Sequence, residues 1–150
     1  MQYIKFNLDE FRYVLSISDV VEIIPYVSLT ALPNLPDYLA GLCNYRGSSV
    51  PVIDLSSLFL KRACHKKLST RIIIVEVADN GKTKKMVGLM VEKATEIVKV
   101  EEDSFMDAGV YGEDLPYLGP VTSDKMGLIS RIMPAEIFSQ IDSKILFPAN

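Results

Sequence analysis

The sequence has little of the side-chain chemistry that enzymes commonly use. Its 150 residues include one histidine, His65, and contain neither GxxxxGK[ST] nor GxGxxG. A single histidine makes a histidine-centred acid–base or nucleophilic site hard to assemble, and no phosphate-binding loop is indicated. We interpret His65 as a solvated side chain in a basic loop and the acids at 101–103 as a solvated turn. The sequence therefore predicts a protein that is not an enzyme and uses no cofactor.

Cysteine is also scarce, which argues against a metal centre. The two cysteines, Cys43 and Cys64, lie in no CxxC pattern, and only His65 stands nearby as a further ligand. A structural zinc site needs four such ligands. We interpret both cysteines as free thiols in a reducing compartment, with Cys43 as a small core residue in an apolar run.

Long apolar runs and a signal peptide pattern are missing too. No run approaches the roughly 18 residues that a membrane-spanning helix needs. The opening MQYIKFNLDEF lacks the basic start and apolar middle of a signal peptide. These features predict a cytoplasmic protein without direct membrane insertion, which reaches membranes only through partners.

The composition predicts a globular chain that is not a general nucleic-acid-binding protein. Hydrophobic residues make up 49% of the chain and the net charge is −3. An acidic balance disfavours a nucleic-acid partner. The basic run in KRACHKKLS (61–69) has no interleaved aromatic residues, so we interpret it as a solvated loop. At this length we expect one domain, or two small subdomains that share a core.

Short strands dominate the predicted secondary structure. In FRYVLSI, the residues Phe11, Tyr13, Leu15 and Ile17 are predicted to point to one face of a strand, and Arg12, Val14 and Ser16 to the other. Further strands are predicted in YIKFNL, DVVEIIPYVSL, RIIIVEVA, KMVGLMVEKATEIVKV, YLGPVTS and GLISRIM. Hairpin turns are predicted at 79–81 and 124–125. Many short strands separated by turns are typical of small barrels or a sandwich.

Two short helices complete the predicted elements. Asp54 is a candidate N-cap for a helix in LSSLFLK (55–61), which follows a strand. Pro134 is expected at the first position of a C-terminal helix over 134–146, with Ile137, Phe138 and Ile141 on one face. The intervening LPNLPDYLAG is predicted to be a loop with at most one helical turn.

A hairpin around Arg46 and Gly47 is the most informative local feature. Gly47 supplies the positive φ that a tight turn needs, and Pro51 requires the second strand to be at an edge or bulged there. Arg46 is either a solvated charge at the rim or one half of a bidentate pair with a carboxylate. Glu22 is the candidate acid, because it is the one charge in the apolar segment VVEII.

At this point the chain resembles the CheW family, the coupling proteins of bacterial chemosensory arrays. LPDYLAGLCNYRGSSVPVIDLSSLF is similar to the family's signature region, and SDVVEII to the segment upstream of it. RIIIVEV, KMVGLMVEKATEIVKV and GLISRIMPAEIF are similar to its later strands and terminal helix in order and spacing. The resemblance covers nearly the whole chain, and it rests on this order more than on any one motif.

The resemblance implies a mainly all-β fold, with two five-stranded SH3-like β-barrels that share an apolar core. Residues 1–150 would form one CheW-like domain with interleaved barrels and no assignable boundary between them. It also implies a non-enzymatic adaptor that joins the cytoplasmic tip of a methyl-accepting chemoreceptor to the regulatory domain of a CheA-like histidine kinase. Such a protein would be recruited to membrane receptor arrays through these partners.

The resemblance also implies site residues. Val20, Glu22 and Ile23 would lie at or near the receptor groove, and Arg46 would pair with Glu22. The remaining positions would shape the turn or continue the signature: Asn44, Tyr45, Gly47, Pro51, Val52, Asp54 and Leu55. Tyr45 stands where the family usually has an apolar aliphatic residue. The kinase-binding surface is expected only coarsely, at exposed ends of the barrels.

Three alternatives remain open from the residues. The unusual segment DAGVYGEDLPYLGPV (107–121) and the short N-terminus indicate a branch that serves surface sensing or biofilm control instead of flagellar motility. A small β-barrel that binds a ligand or an oligonucleotide is the second possibility, and it would need a basic groove lined by aromatic residues. An enzyme that uses carboxylates alone is the third, but no convincing pair of acids is present.

Overall fold

The structure, a computed structural model, describes residues 1–64, 68–79, 83–107, 109, 119–139 and 141. Three features predicted above lie wholly or mainly outside these residues. They are the tip of the turn at 79–81, residues 65–67 of the basic run and most of the segment at 107–121. The described residues contain nine strands and two α-helices, which confirms the mainly β fold. These elements are β1 Gln2–Leu8, β2 Phe11–Ser16, β3 Val20–Pro25, β4 Leu39–Tyr45, β5 Ser48–Asp54, α1 Leu55–Leu60, β6 Thr70–Asp79, β7 Thr83–Lys99, β8 Val121–Asp124, β9 Gly127–Ile132 and α2 Pro134–Ser139.

The strands form one curled sheet in the order β3-β6-β7-β1-β2-β9-β8, and β5 pairs with both β4 and β7. Strand β7 is 17 residues long and belongs to both halves of this sheet. Its first part pairs with β5 and β6, and its last part pairs with β1. Lys93 has a φ of 55°, and the pairing with β1 shifts register there. This bulge bends the strand so that it can serve both halves.

Two isolated backbone bridges help to close the halves into barrels. In one half, the N–H and C=O of Thr30 both bond to Leu42 of β4 at 2.9 Å, which joins the segment after β3 to the sheet. In the other half, Met106 and Val121 exchange two bonds of 2.8 Å, which joins the segment after β7 to β8. Closure of this kind removes most of the free sheet edge.

The core consists of three clusters because several strands are buried on both faces. A central cluster includes Phe6, Leu15, Ile53, Ile73 and Leu89. Each half has a cluster of its own, one with Cys43, Tyr45, Val52, Ile72 and Met90, and the other with Tyr3, Val14 and Ile129. Neighbours along a strand, such as Ile72 and Ile73, therefore point into different clusters. This arrangement is the shared apolar core that the resemblance implied.

The predicted alternation along β2 does not separate a buried face from an exposed one. Val14 and Ser16, on one predicted face, are 0% and 2% exposed, and Phe11, on the other, is 44% exposed. Leu15 packs in the central cluster, and Val14 packs in the cluster of Tyr3 and Ile129. A simple period of two assumes one wet face, and this strand has apolar neighbours on both.

Both helices begin where the sequence predicts. The Asp54 side chain caps α1 by accepting bonds from the backbone N–H groups of Ser56 and Ser57. Helix α1 ends at Leu60, and Lys61 follows it in the left-handed conformation with a φ of 61°. Helix α2 begins at Pro134 and ends at Ser139. The remainder of the predicted helix, apart from the buried Ile141, lies outside the described residues.

Candidate partner-binding site

The Glu22 side chain stands on β3, a strand whose one described strand partner is β6. Among the described residues no strand pairs with its other edge, and the next backbone bridge along the chain joins Thr30 to Leu42 of β4. Val20 and Ile23 are partly buried and pack against the central cluster, whereas Val21 is 43% exposed. The strand therefore presents an acidic side chain and an apolar side chain at the surface beside a gap in the backbone pairing.

The β4–β5 hairpin reaches across this gap with its tip. Arg46 and Gly47 form its two-residue turn, with φ values of 50° and 83°. Two positive φ angles in succession are typical of a type I′ turn, which matches the twist of the flanking strands. A Cβ added at Gly47 would meet nothing within 4 Å, so the backbone angle is what favours glycine there. The positive φ of Arg46 was not predicted from the sequence.

Tyr45 and Arg46 both donate to one oxygen of Glu22. The Tyr45 hydroxyl lies 2.5 Å from Glu22 Oε1, and Arg46 Nη2 lies 2.9 Å from the same atom. The Arg46 guanidinium carbon also sits 5.3 Å from the centre of the Tyr45 ring, within the range of a cation–π contact. The hydrogen bond to Glu22, together with partial desolvation, raises the pKa of Tyr45. We refer to Glu22, Tyr45 and Arg46 as the Glu22 cluster.

The predicted pairing of Arg46 with Glu22 is present, but its predicted bidentate geometry is wrong. One nitrogen meets one oxygen, and the Arg46 side chain is 75% exposed. The turn conformation places Arg46 at the hairpin tip, where the solvent covers most of its guanidinium. The buried partner of Glu22 is Tyr45, which is 7% exposed and whose ring packs in the cluster of Cys43 and Val50.

The other predicted site residues fall into an exposed group and a buried group. Asn44 and Gly47 are exposed on the hairpin, and Pro51 is half-buried. Pro51 pairs with Leu42 of β4, and the pairing of β5 with β7 begins one residue later, at Val52. The edge of β5 on the β7 side is therefore unpaired at Pro51, where proline has no N–H to donate. The register shift of this hairpin lies in β4 between Leu39 and Gly41, opposite Ile53 and Val52 and not opposite Pro51. Val52 and Leu55 are fully buried and cannot touch a partner directly.

Asp54 is a structural centre and not a surface group. It is 5% exposed, and its carboxylate accepts bonds from Ser56 N at 3.0 Å, Ser57 N at 3.2 Å and Cys64 N at 2.9 Å. The Ser57 hydroxyl adds a fourth bond of 3.2 Å. The backbone N–H of Asp54 donates to Tyr38 O at 2.7 Å. Asp54 thus connects the end of β5 to the start of α1, to the segment after α1 and to the loop before β4.

A second cluster of the same three residue types closes the other barrel, and sequence reasoning missed it. The Tyr3 hydroxyl donates to Glu102, and Arg131 Nη1 lies 3.2 Å from the other oxygen of that carboxylate. The Arg131 guanidinium also stacks 5.4 Å from the Tyr3 ring centre. Burial and the bond to Glu102 raise the pKa of Tyr3 to about 12. Because Tyr3 and Glu102 are far apart in sequence, no local pattern could have indicated this cluster.

A bidentate arginine–carboxylate pair is present away from the Glu22 cluster, between Arg12 and Asp124. Arg12 Nη1 and Nη2 lie 2.8 and 2.7 Å from the two oxygens of Asp124, and Arg12 Nη2 also donates to Gly127 O at 2.9 Å. This pair joins β2 to the β8–β9 hairpin, whose turn at Lys125 and Met126 lies one residue after the predicted position at 124–125. It lowers the pKa of Asp124 well below its usual range, chiefly through the hydrogen bonds from Arg12.

The described residues offer little support for other kinds of site. They hold no group of three His, Cys, Asp or Glu side chains that could bind a metal ion. Cys43 and Cys64 are both buried and form no disulfide with each other, and burial was predicted for Cys43 alone. Within the basic run, Arg62 Nη2 lies 2.5 Å from Asp9 Oδ2, so its charge is partly neutralised. None of the helices in the described part of the chain is long and apolar enough to cross a bilayer.

Comparisons with known proteins agree with the fold described above. Residues 2–141 match the family model of the CheW-like domain. The chain is 27% identical to the probable chemotaxis protein CheW of Rhizobium etli over 146 residues, which is 95% of this chain and 90% of that protein. It is 26% identical to the chemotaxis protein CheW of Helicobacter pylori over 102 residues, which is 68% of this chain and 59% of that protein. The crystal structure of the scaffolding protein TtCheW from Thermoanaerobacter tengcongensis matches with a TM-score of 0.82 and 30% identity, over 97% of this chain and 91% of that one.

Fold and site together define a domain of SH3-like barrels, in which a prominent polar cluster joins the edge of β3 to the β4–β5 hairpin. The chain belongs to the CheW-like family. Proteins of this family are scaffold adaptors and not enzymes. The match spans less than two thirds of the Helicobacter pylori relative, at 59% of its length.

Proposed function

We propose that this protein couples chemoreceptors to a CheA-like histidine kinase. The observation that carries the proposal is the Glu22 cluster, which braces the free edge of β3 against the β4–β5 hairpin. Its residues occupy the positions that family resemblance assigns to the receptor groove. Membership of the CheW-like family supports an adaptor role over catalysis.

The receptor side of the proposal concerns Val20, Glu22 and Ile23. A chemoreceptor tip is a helical hairpin, and an amphipathic helix binds by laying an apolar stripe into a groove. The exposed Val21 and the half-buried Val20 and Ile23 offer apolar surface next to the Glu22 carboxylate. A partner helix with apolar residues and one hydrogen-bond donor would be complementary to this surface.

The hairpin residues then act by shaping the groove. Gly47 sets the turn, and Tyr45 and Arg46 hold Glu22. Asn44 pairs with Ser49 in the strands that lead to the turn. Pro51, Val52, Asp54 and Leu55 act from behind, by fixing β5 and the start of α1. We further propose that residues 1–150 act as one domain, because the central cluster draws side chains from both halves of the sheet.

The kinase side is proposed only as a contact with exposed ends of the barrels. A protein that binds a receptor with one surface and a kinase regulatory domain with another can be weak at each contact. Repetition in an array makes such contacts strong, because each further contact forms within an assembly that is already tethered. The protein would reach receptor arrays at the membrane through these partners.

A binding assay with both partners tests this proposal. The protein, tagged, is mixed with the regulatory domain of each CheA-like kinase of its genome, with and without a soluble receptor-tip fragment. We expect one kinase to bind, and a ternary complex to form with the receptor tip. Failure to bind any of these kinases or any receptor tip would refute the adaptor role, and a salt-sensitive gel shift with oligonucleotides would favour the small-barrel binding protein instead.

A narrower form of the proposal is that the pathway controls surface sensing or biofilm formation. It is based on the unusual composition of the segment at 107–121, which lies mostly outside the described residues. Deletion of the gene should then alter attachment or biofilm mass while swimming in soft agar stays normal. Loss of swimming chemotaxis with normal biofilm formation would reject this form and leave the adaptor role standing.

A further inference from the structure

Tyr45 is the buried member of the Glu22 cluster, and its hydroxyl has a specific position. The ring lies in the core of its barrel at 7% exposure, and the hydroxyl reaches out of that core to Glu22 Oε1 at 2.5 Å. An aliphatic residue would fill the same core space but could not donate this bond. The hydroxyl therefore adds something to the groove that apolar packing does not explain.

The two donors to Glu22 differ in how firmly they can hold it. Arg46 is 75% exposed and contributes one contact of 2.9 Å, so salt screens its attraction and side-chain motion weakens it. Tyr45 is fixed by core packing, and its neutral hydroxyl makes a charge-assisted bond that salt screens little. The raised pKa of Tyr45 agrees with a protonated hydroxyl that bonds to a carboxylate.

The position of the bond matters because β3 and β4 lack backbone pairing at this point. The bond joins β3 to the end of β4 directly, where the next backbone bridge between the two segments is at Thr30 and Leu42. Two donors on one oxygen can substitute for one another in holding the carboxylate. Either donor alone holds Glu22 against the hairpin, but less firmly than the two donors together.

We propose that Tyr45 is the positioning residue for Glu22 in partner binding, and that its hydroxyl keeps the groove formed when the Arg46 contact is screened or lost. This inference rests on the proposed function, because the binding partner is the receptor tip. The groove of this chain therefore depends less on Arg46 than a groove with an aliphatic residue at position 45, which could not donate to Glu22.

The test measures receptor-tip binding for the unmodified protein, Tyr45→Phe, Arg46→Ala and the double variant. Each variant is first shown to fold by circular dichroism. We expect each single change to weaken binding by about three- to tenfold, and the double change to weaken it by clearly more than the product of the two. Tyr3→Phe is the matched control, because it removes a tyrosine–carboxylate bond at the other barrel and should leave receptor binding unchanged.

Salt dependence provides a readout that a purely structural role would not change. Between about 50 and 500 mM NaCl, Tyr45→Phe should lose binding more steeply than the unmodified protein, because Glu22 then depends on the exposed Arg46 alone. Equal salt slopes, together with binding by Tyr45→Phe equal to that of the unmodified protein, would overturn the inference.

A titration of Tyr45 separates this inference from the proposed function. In Glu22→Gln, the pKa of Tyr45 should fall toward the ordinary tyrosine value, as followed by the NMR shift of its ring carbon. No fall would overturn the inference whatever the receptor does. If the unmodified protein fails to bind any receptor tip, the proposed function falls and the inference falls with it. Normal receptor binding that ignores Tyr45→Phe overturns the inference alone.

Discussion

Arg46 Nη2 lies 2.9 Å from Glu22 Oε1, so that the tip of the β4–β5 hairpin is joined to the edge of β3 by an ion pair. The pair is exposed on the arginine side, and exposed ion pairs contribute roughly 0.2–1 kcal/mol to folding. Its importance therefore lies in where it holds the strand and not in how much it stabilises the fold.

A double-mutant cycle on this pair should show strong coupling in receptor binding. Glu22→Ala removes the acceptor of both donors and should weaken binding by about tenfold or more, whereas Arg46→Ala leaves the Tyr45 bond and should have a smaller effect. The double variant should be no worse than Glu22→Ala, as measured by titration calorimetry. Additive losses from the two changes would show that the pair does not act as a unit.

Asp54 should be important for stability although it lies near the signature hairpin. Asp54→Ala leaves four donors without their acceptor, two of them at the start of α1 and one at Cys64. We expect the free energy of unfolding in urea to fall by on the order of 2–3 kcal/mol. Asp54→Asn keeps one carbonyl oxygen and should lose less. A loss below about 0.5 kcal/mol for Asp54→Ala would contradict this role.

Gly41 should tolerate a methyl group far less well than Gly127. Both have positive φ, but a Cβ at Gly41 would lie 2.7 Å from the Thr30 carbonyl oxygen, whereas at Gly127 nothing lies within 4 Å. Gly127→Ala should cost about 1 kcal/mol of unfolding free energy for backbone strain. Gly41→Ala should cost about 2 kcal/mol more, because it also disrupts the bridge that closes the barrel. Equal costs would mean that the close approach at Thr30 is absent.

The Arg12–Asp124 pair should make stability depend on acid. Because Arg12 holds the pKa of Asp124 below its ordinary value of 3.8, the pair stabilises the fold above that pH and loses its effect as the pH falls below it. Unfolding curves at pH 2–6 should show a smaller drop at the acid end for Asp124→Asn and for Arg12→Met than for the unmodified protein. Unchanged acid sensitivity in both variants would contradict the assignment.

The two cysteines should be inert in the folded protein. Burial raises the pKa of Cys64 to about 12 and also raises the pKa of Cys43, and both side chains are 5% exposed or less. At pH 8, iodoacetamide should label the native protein at least about a hundredfold more slowly than the protein in urea. The labelling rate of the Cys64→Ser variant is the rate of Cys43 alone. Rapid labelling of native protein would place a thiol at the surface.

The fold followed from local patterns to a large extent. Turn residues such as Gly47, the cap at Asp54 and the first helical proline Pro134 have physical effects within a few residues, and each lies where the sequence predicts. The pairing of Glu22 with Arg46 was also predicted, because one acid in an apolar strand needs a partner. Short-range chemistry of this kind can be read without a structure.

Features that depend on distant parts of the chain could not be predicted. Burial of both faces of β2 follows from the barrels closing around it, so the alternation along the strand did not indicate that Val14 and Ser16 are buried. The role of the Tyr45 hydroxyl and the bond between Tyr3 and Glu102 depend on which strand ends meet in space. No periodicity along the chain carries that information.

A reconstituted kinase assay tests the adaptor role most directly. Receptor in membranes and its CheA-like kinase are combined with or without this protein, and kinase autophosphorylation is measured with and without attractant. The account predicts that receptor-controlled kinase activity requires the protein and is reduced when Glu22→Ala replaces it. Kinase activity and attractant response that are the same with and without the protein would contradict the account.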